Sequence, residues 1–487
     1  MTKKSNKNID KPICNAPFTS AYYFGLRGNL GFCCAWEDDE QPYYKVHKDG
    51  APEDFWTSKY AQDIRQQMLD GEWPKGCSGC KWHVERGLES DIAGFESIPV
   101  DKKDFDVVYG NTTHKKPVYL DYRPDNLCNL SCIQCSPANS SIIENFGDKE
   151  TWGIGQDTWR GSLKTLKENK DRHHEIEQFV NEHLLHQGLL QIKVLGGEPT
   201  INAGVQRTLK HLIDKDYAKD IRLKVTTNFT NLNKTYELFS HFKEVSVTAS
   251  IDGAGKTYEY VRHPAKWKVV KKNILTFMEK YLTKPGYSLS VNTCMMAHMA
   301  FTLTDWLSEL SDIWFRERLH IVGKQGIDNL WGNISIIPVL EPHSTINAIP
   351  SKFINDILHE LETLKKTLNG RNKTFVDEIT KLGLKPNDWP YVGTPDYLID
   401  KLIKVFQDHK YDEQAHYAWA VMAVAQHNFK NCDLTKLDPR FLEMFDMLDE
   451  GTVFIKHKFY YPDTYKSWKK NKEKDPNFKF FPTAKKP

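Results

Sequence analysis

The chain has 487 residues, 40% of them hydrophobic, and a formal charge of +2. That length implies two or three domains, or one large α/β barrel with additions. The near-cancelled charge gives no whole-chain case for nucleic acid or an anionic membrane, and no run of about eighteen apolar residues offers a transmembrane helix.

The start, MTKKSNKNIDKPIC, lacks the apolar stretch of a signal peptide. The expected location is the cytoplasm, where thiols stay reduced, so ten cysteines read poorly as disulfides. Eight of them lie before residue 136, and that clustering points to metal.

In chain order, residues 1–12 are a polar, lysine-rich tail. Residues 13–98 form a compact region bearing Cys14, Cys33, Cys34, Cys77 and Cys80. Within it, LRGNLGFCCAW reads as a hairpin with glycines at the turn, and DFWTSKYAQDIRQQMLDGEWPKGC as one helix stopped by Gly71 and Pro74. Residues 99–116 are a polar linker.

From 117 to 342 short apolar runs alternate with helical segments. The runs are PVYLDYR, LQIKVLGG, LKVTTNF, EVSVTASID, YSLSVNTCMM and NISIIPVLE, rich in Val, Ile and Leu as strands buried on both faces should be. Six β/α units predict a parallel sheet, either a partial barrel or a doubly wound sheet, with residues 146–187 a helical excursion in the first crossover. After 343 the chain reads as helical, with SKFINDILHELETLKKTL, PDYLIDKLIKVFQ and HYAWAVMAVAQHNF the clearest segments. Residues 456–487 interleave lysine with aromatics and read as a surface extension rather than a grip on RNA.

The chemistry concentrates in LCNLSCIQCSP, which puts Cys128, Cys132 and Cys135 in the loop after the first predicted strand of the sheet. The carboxyl edge of parallel strands is where ligands bind. Three thiolates hold a cubic [4Fe–4S] cluster by three corners and leave one iron open. A zinc site completed by a distant residue, or plain core cysteines, are the alternatives. The second strand ends in LGGEP, where Gly196 and Gly197 allow close backbone approach and Glu198 accepts from an ammonium group; a plain turn is the rival reading. Thr226 and Asn228, then Ser250 and Asp252, end the next two strands and suit ribose hydroxyls, although each alone reads more readily as a turn or cap residue; Asn292 is a weaker case. Arg262 suits a carboxylate or is simply solvated. Cys294 and Cys432 read as core; His173, His174, His183 and His186 read as a solvated helix; His83 and His263 carry no specific signal.

Taken together, the C-x3-C-x2-C loop, the GGE and the polar strand ends resemble the radical SAM superfamily. The resemblance implies a partial (β/α)6 TIM-type barrel, with Cys128, Cys132 and Cys135 holding a [4Fe–4S] cluster whose open iron takes the amino and carboxylate groups of S-adenosylmethionine. It implies Gly196, Gly197 and Glu198 at the amino group, and Thr226, Asn228, Ser250 and Asp252 at the ribose and carboxylate, to which the carboxylate reading of Arg262 adds a further cofactor contact. It also implies reductive cleavage to a 5′-deoxyadenosyl radical that takes hydrogen from a substrate. Gln134 departs from the pattern, because the residue before the third cysteine is usually aromatic or bulky and apolar in that family.

The amino-terminal region, with C-x2-P-F, GNLGFCC and GC-x2-C, resembles the auxiliary-cluster module of SPASM/twitch radical SAM proteins, here amino-terminal to the barrel. By spacing alone iron–sulfur and zinc remain open; the resemblance implies an auxiliary iron–sulfur cluster on Cys14, Cys33, Cys77 and Cys80. Adjacent strand residues point to opposite faces, so one of Cys33 and Cys34 should ligate, with Cys33 favoured. The expected organisation is an auxiliary module over 13–98, a radical SAM core over 117–342 and a helical region over 343–487. A peptide or protein substrate, or a small alcohol or sugar-like one, and a flavodoxin- or ferredoxin-like reductant are the expected partners. A zinc-bearing nucleic-acid-binding protein and a two-cluster electron-transfer protein are the rival functions.

Overall fold

In the computed structural model, residues 12–25, 29–36, 44–45, 52–85, 90, 92–96, 116–147, 173–317, 321, 334–381, 395–430, 432–453, 456 and 462–476 are described. The chain is a mixed α/β protein with a mainly parallel sheet. It divides into two compact units. The first comprises residues 1–127, 162–226 and 233–245; the second comprises 128–161, 227–232 and 246–487.

In the first unit the strands are β1 (Ser20–Phe24), β2 (Asn29–Gly31), β3 (Tyr44–Lys45), β4 (Tyr119–Arg123), β5 (Gln191–Val194) and β6 (Arg222–Thr227). Their order is β3-β2-β1-β4-β5-β6. The expected hairpin, residues 26–36, supplies only β2; its partner β1 lies before that stretch, antiparallel to β2 and parallel to β4, with Ser20 opposite Tyr119 and Phe24 opposite Arg123. The amino-terminal module therefore shares a sheet with β4, β5 and β6. β4 to β6 run parallel in continuous register, Asp121 opposite Lys193 and Lys193 opposite Lys224.

β4 is buried on both faces along nearly all its length, as expected, but β6 is not. Along β6 burial alternates, with Leu223, Val225 and Thr227 buried and Arg222, Lys224 and Thr226 half-buried. One face is apolar and packed; the other carries charge, Asp121 taking both Arg123 (2.9 Å) and Lys193 (3.7 Å).

The region expected as one helix is two, Pro52–Thr57 and Lys59–Leu69. Ser58 divides them: its backbone is extended, and its hydroxyl caps the second helix by accepting from Ala61 N (3.1 Å). Arg65, buried on that helix, donates to Pro17 O (2.7 Å) and Trp56 O (2.8 Å), and its guanidinium lies 4.5 Å from the Trp56 ring. These contacts fix the helix against the short segment Ala16–Thr19 that follows Cys14.

The second unit holds β7 (Glu244–Ser250, beginning at the unit boundary), β8 (Tyr287–Met295) and β9 (Ile334–Pro338) in that order. β8 and β9 are parallel, Val291 opposite Ile334. β8 alternates strictly, and Asn292 and Cys294 fall on its half-buried face. The expected carboxy-terminal helices are present as Ile354–Lys381, Pro395–Gln407 and Glu413–Lys430. The last is core as its apolar run predicts, Trp419 packing 4.8 Å from Phe445. Part of the lysine/aromatic tail, Pro462–Lys474, is helical; the rest of that stretch, the 99–115 linker and most of the 146–187 excursion lie outside the described residues. No described helix is long and apolar enough to cross a membrane.

Candidate metal centres

In the first unit one cavity is lined by Cys14, Cys33, Cys77 and Cys80 together, with Trp36 and Phe95 among its walls. Each cysteine arrives from a different local structure. Cys14 precedes the short helix Ala16–Thr19, and the Ala16 N–H donates to its Sγ (3.4 Å). Cys33 follows β2 outside any strand, so strand alternation does not decide between it and Cys34; of the two, Cys33 lines the cavity. Cys77 closes the turn Lys75–Cys77, and Cys80 lies in the first turn of helix Ser78–Glu85. Gly76 is a glycine for packing: a Cβ there would fall 2.3 Å from the Trp36 ring.

Burial, then Cys34, Cys14 and Cys77, pushes the Cys33 thiol well up; burial, then Cys14 and Cys80, pushes Cys77 up to about 12. Neutral thiols are what this cavity favours by itself, and a bound cation reverses that by taking them as thiolates. Cys34 does not line the cavity. It is one of the groups, Asp121 foremost, that hold the Arg123 guanidinium charged against burial.

Also in the first unit, Gly196 and Gly197 have φ of +84° and +54°. Their need for glycine is met by the chain itself. A Cβ on Gly197 would lie 2.1 Å from Leu127 O, and one on Gly196 2.8 Å from Asp125 O. Glu198 N donates to Leu127 O (2.7 Å), so this turn cradles the segment leading into Cys128. Glu198 is buried, and its Oε1 accepts from Thr200 N (3.2 Å) and Thr200 Oγ (2.6 Å). Thr226 is half-buried at the end of β6.

In the second unit the cysteine loop is held from several sides. Ser131 N donates to His263 O (2.7 Å) and Ile133 N to Val261 O (3.0 Å). Cys128 N donates to Ser141 Oγ (3.2 Å), and Leu130 N to Cys128 Sγ (3.4 Å). Asn228 Nδ2 donates to Asn129 Oδ1 (3.0 Å), while Asn129 Nδ2 donates to Thr230 Oγ1 (2.8 Å). Asn228 therefore braces the loop through its side chain. Ser250 is half-buried at the end of β7.

Asp252 and Arg262, expected at the ligand, meet one another, with Arg262 Nη2 2.6 Å from Asp252 Oδ2, both buried. Asp252 Oδ1 also accepts from Cys294 N (2.7 Å), and Gln134 donates to its other oxygen. Here Gln134 gains a partner that an aromatic residue could not supply. Arg262 Nη1 lies 3.9 Å from Cys132 Sγ. Burial pushes the Asp252 carboxyl up, against the pull of Arg262; burial likewise opposes the Arg262 charge, which Asp252 and then Cys132 maintain. Burial pushes Cys132 up and, with Cys132 as its neighbour, Cys135 up to about 12.

Two features escaped the sequence. Lys430, last residue of helix Glu413–Lys430 and 7% exposed, donates from Nζ to Ser131 O within the cysteine loop. Burial brings it down to about 8, with Cys132, Cys432 and Cys135 acting the other way. His298, in the turn after β8, is fully buried, and neither ring nitrogen has a hydrogen-bond partner among the described residues. It lies 6.2 Å from the Tyr260 ring and 6.1 Å from Trp419, and burial, then His343 and Lys430, brings it down to about 3. Neither residue sits in a recognisable motif.

Among the described residues no three His, Cys, Asp or Glu side chains converge tightly enough for a single metal ion. A polynuclear cluster asks for less convergence, because each thiolate binds its own iron. N–H groups directed at Cys128 and Cys14 sulfurs and a guanidinium beside Cys132 fit thiolate ligands.

No protein-family model matches the chain, and no curated protein does. Among solved structures it is similar to Streptococcus suis SuiB bound to precursor peptide SuiA, at 16% identity over 63% of this chain and 60% of that one, with a TM-score of 0.30. For SuiB bound to S-adenosylmethionine the values are 15%, 63%, 63% and 0.31. For anSMEcpe with bound AdoMet they are 17%, 52%, 62% and 0.32. The chain spans about 60% of the length of SuiB. A likeness of that extent identifies none of this chain's residues.

Proposed function

We propose that the chain is a radical SAM enzyme. The observation that carries this reading is the loop Cys128–Cys135: three thiols in one loop after β4, braced on all sides, with backbone N–H and guanidinium donors aimed at sulfur. Cys128, Cys132 and Cys135 would hold a [4Fe–4S] cluster by three corners. When bound, that cluster supplies an electron to the sulfonium of S-adenosylmethionine, releasing a 5′-deoxyadenosyl radical that takes hydrogen from the substrate. The protein's part is orientation and exclusion of water. Asp252, Arg262 and Gln134 keep the loop in one geometry, and Asn228 fixes its start through Asn129. Ser250 is proposed for the ribose; Gly196, Gly197, Glu198 and Thr226 keep the roles that the family resemblance assigns.

The cavity lined by Cys14, Cys33, Cys77 and Cys80 supports an auxiliary iron–sulfur cluster. Four protein thiolates leave no iron open for substrate, so electron acceptance after hydrogen abstraction is its proposed role. The substrate is proposed to be a peptide or protein, the reductant a flavodoxin- or ferredoxin-like protein, and the location the cytoplasm.

The test is anaerobic reconstitution with iron and sulfide, followed by electron paramagnetic resonance of the reduced protein. A cluster signal that changes on adding S-adenosylmethionine, and is lost in Cys128→Ala/Cys132→Ala/Cys135→Ala, is expected. A signal indifferent to S-adenosylmethionine would favour simple electron transfer.

A further inference from the structure

Lys430 lies about three hundred residues from the cysteine loop in sequence, yet its ammonium meets the Ser131 carbonyl, one residue before Cys132. Two facts give that contact weight. The side chain is 7% exposed, and burying an ammonium is costly unless negative charge lies close by. The carbonyl it meets belongs to the residue before Cys132, so its charge sits on the loop that carries Cys132 and Cys135. Iron would turn those thiols into thiolates, and the attraction would then run between a fixed cation and an anionic cluster. Arg262, the other cation beside Cys132, is already balanced by Asp252.

We infer that Lys430 is a positioning residue for the cysteine loop, which both pins the Ser131 carbonyl and supplies the buried positive charge that favours the reduced cluster. The inference rests on the cluster reading above. It also explains what the carboxy-terminal helical region does for the site. Helix Glu413–Lys430, anchored through Trp419 and its neighbours in the core, delivers a fixed cation to the loop. A cation beside an anionic cluster stabilises the more negative, reduced form, so its removal lowers the reduction potential.

The experiment uses the full chain, reconstituted without oxygen, and a redox titration of the resonance signal that depends on Cys128, Cys132 and Cys135. Lys430→Met removes both charge and hydrogen bond; Lys430→Gln keeps an amide donor but no charge; Lys430→Arg keeps the charge. Parental iron content with a more negative midpoint in Met and Gln, restored in Arg, is expected. Loss of iron in Met with a parental circular dichroism spectrum, and retention in Arg, supports the same assignment. An unchanged midpoint and iron content in Met and Gln overturns it, as does an Arg variant that behaves like Met. Misfolding of all three variants also overturns it, because the role would then lie in the fold. If no parental signal depends on the three cysteines, the cluster reading itself fails, and that result is distinguishable from the others.

Discussion

Gly197→Ala tests whether the turn after β5 is built to cradle the approach to Cys128. Gly197 has φ +54°, and its Cβ would meet Leu127 O at 2.1 Å, against the backbone of residues 126–127. Gly255 has nearly the same conformation, φ +52°, with nothing within 4 Å of its Cβ. The left-handed conformation costs a non-glycine residue roughly 1–2 kcal/mol at either position. Only Gly197→Ala must also push the Leu127 carbonyl aside, an overpacking cost of about 1–3 kcal/mol. The expected totals are about 2–5 kcal/mol for Gly197→Ala and about 1–2 kcal/mol for Gly255→Ala. Denaturant titration of the metal-free proteins, followed by iron content after reconstitution, reads both effects. Gly197→Ala should also hold less iron, since Leu127 precedes Cys128. Equal stability losses in the two variants, with equal iron, would refute the cradle.

Asp252→Asn leaves Arg262 buried without its counter-charge and should cost about 3–5 kcal/mol, read as a fall in denaturation midpoint; a loss below about 1 kcal/mol would contradict the buried pair. Acid should destabilise the second unit through its neutral histidines, with His298 brought down to about 3 and His343 and His416 to about 4. Their unfolded forms take up protons below about pH 6.5 while the folded forms do not, so stability is present above that range and falls as pH drops towards the folded values. For His298 alone that amounts to about 2 kcal/mol at pH 5, and His298→Phe should flatten the pH dependence of stability; an unchanged slope would deny its neutral state. Cys33→Ala should lose auxiliary-site iron and Cys34→Ala should keep it, by iron analysis of each variant; the reverse order would place the wrong thiol in the cavity.

Local pattern carried much of this structure. All six expected strands from 117 to 342 are present, because apolar β-rich runs between turn residues are a short-range signal. The cysteine loop was legible for the same reason, its three thiols lying within eight positions. What was not legible depends on partners far along the chain. β1 joins β4 across nearly a hundred residues, and no local feature of the hairpin announces it. Asp252 and Arg262 were each readable as polar groups near a ligand, but their mutual ion pair and the Gln134 contact exist only once the loop folds over them. Gly196 and Gly197 were recognised as permissive positions, though the backbone they admit is that of residues 125–127. Lys430 follows the apolar segment HYAWAVMAVAQHNF without any local signal, and only tertiary structure brings it to Ser131.

Formation of 5′-deoxyadenosine tests the central claim most directly. The reconstituted protein would be mixed without oxygen with S-adenosylmethionine and a strong reductant, beside the Cys128→Ala/Cys132→Ala/Cys135→Ala variant. Product in the parent and none in the variant is the expected result. Equal product in both, or none from a parent verified to hold the three-cysteine cluster even with candidate peptide substrates present, would contradict radical chemistry at this loop.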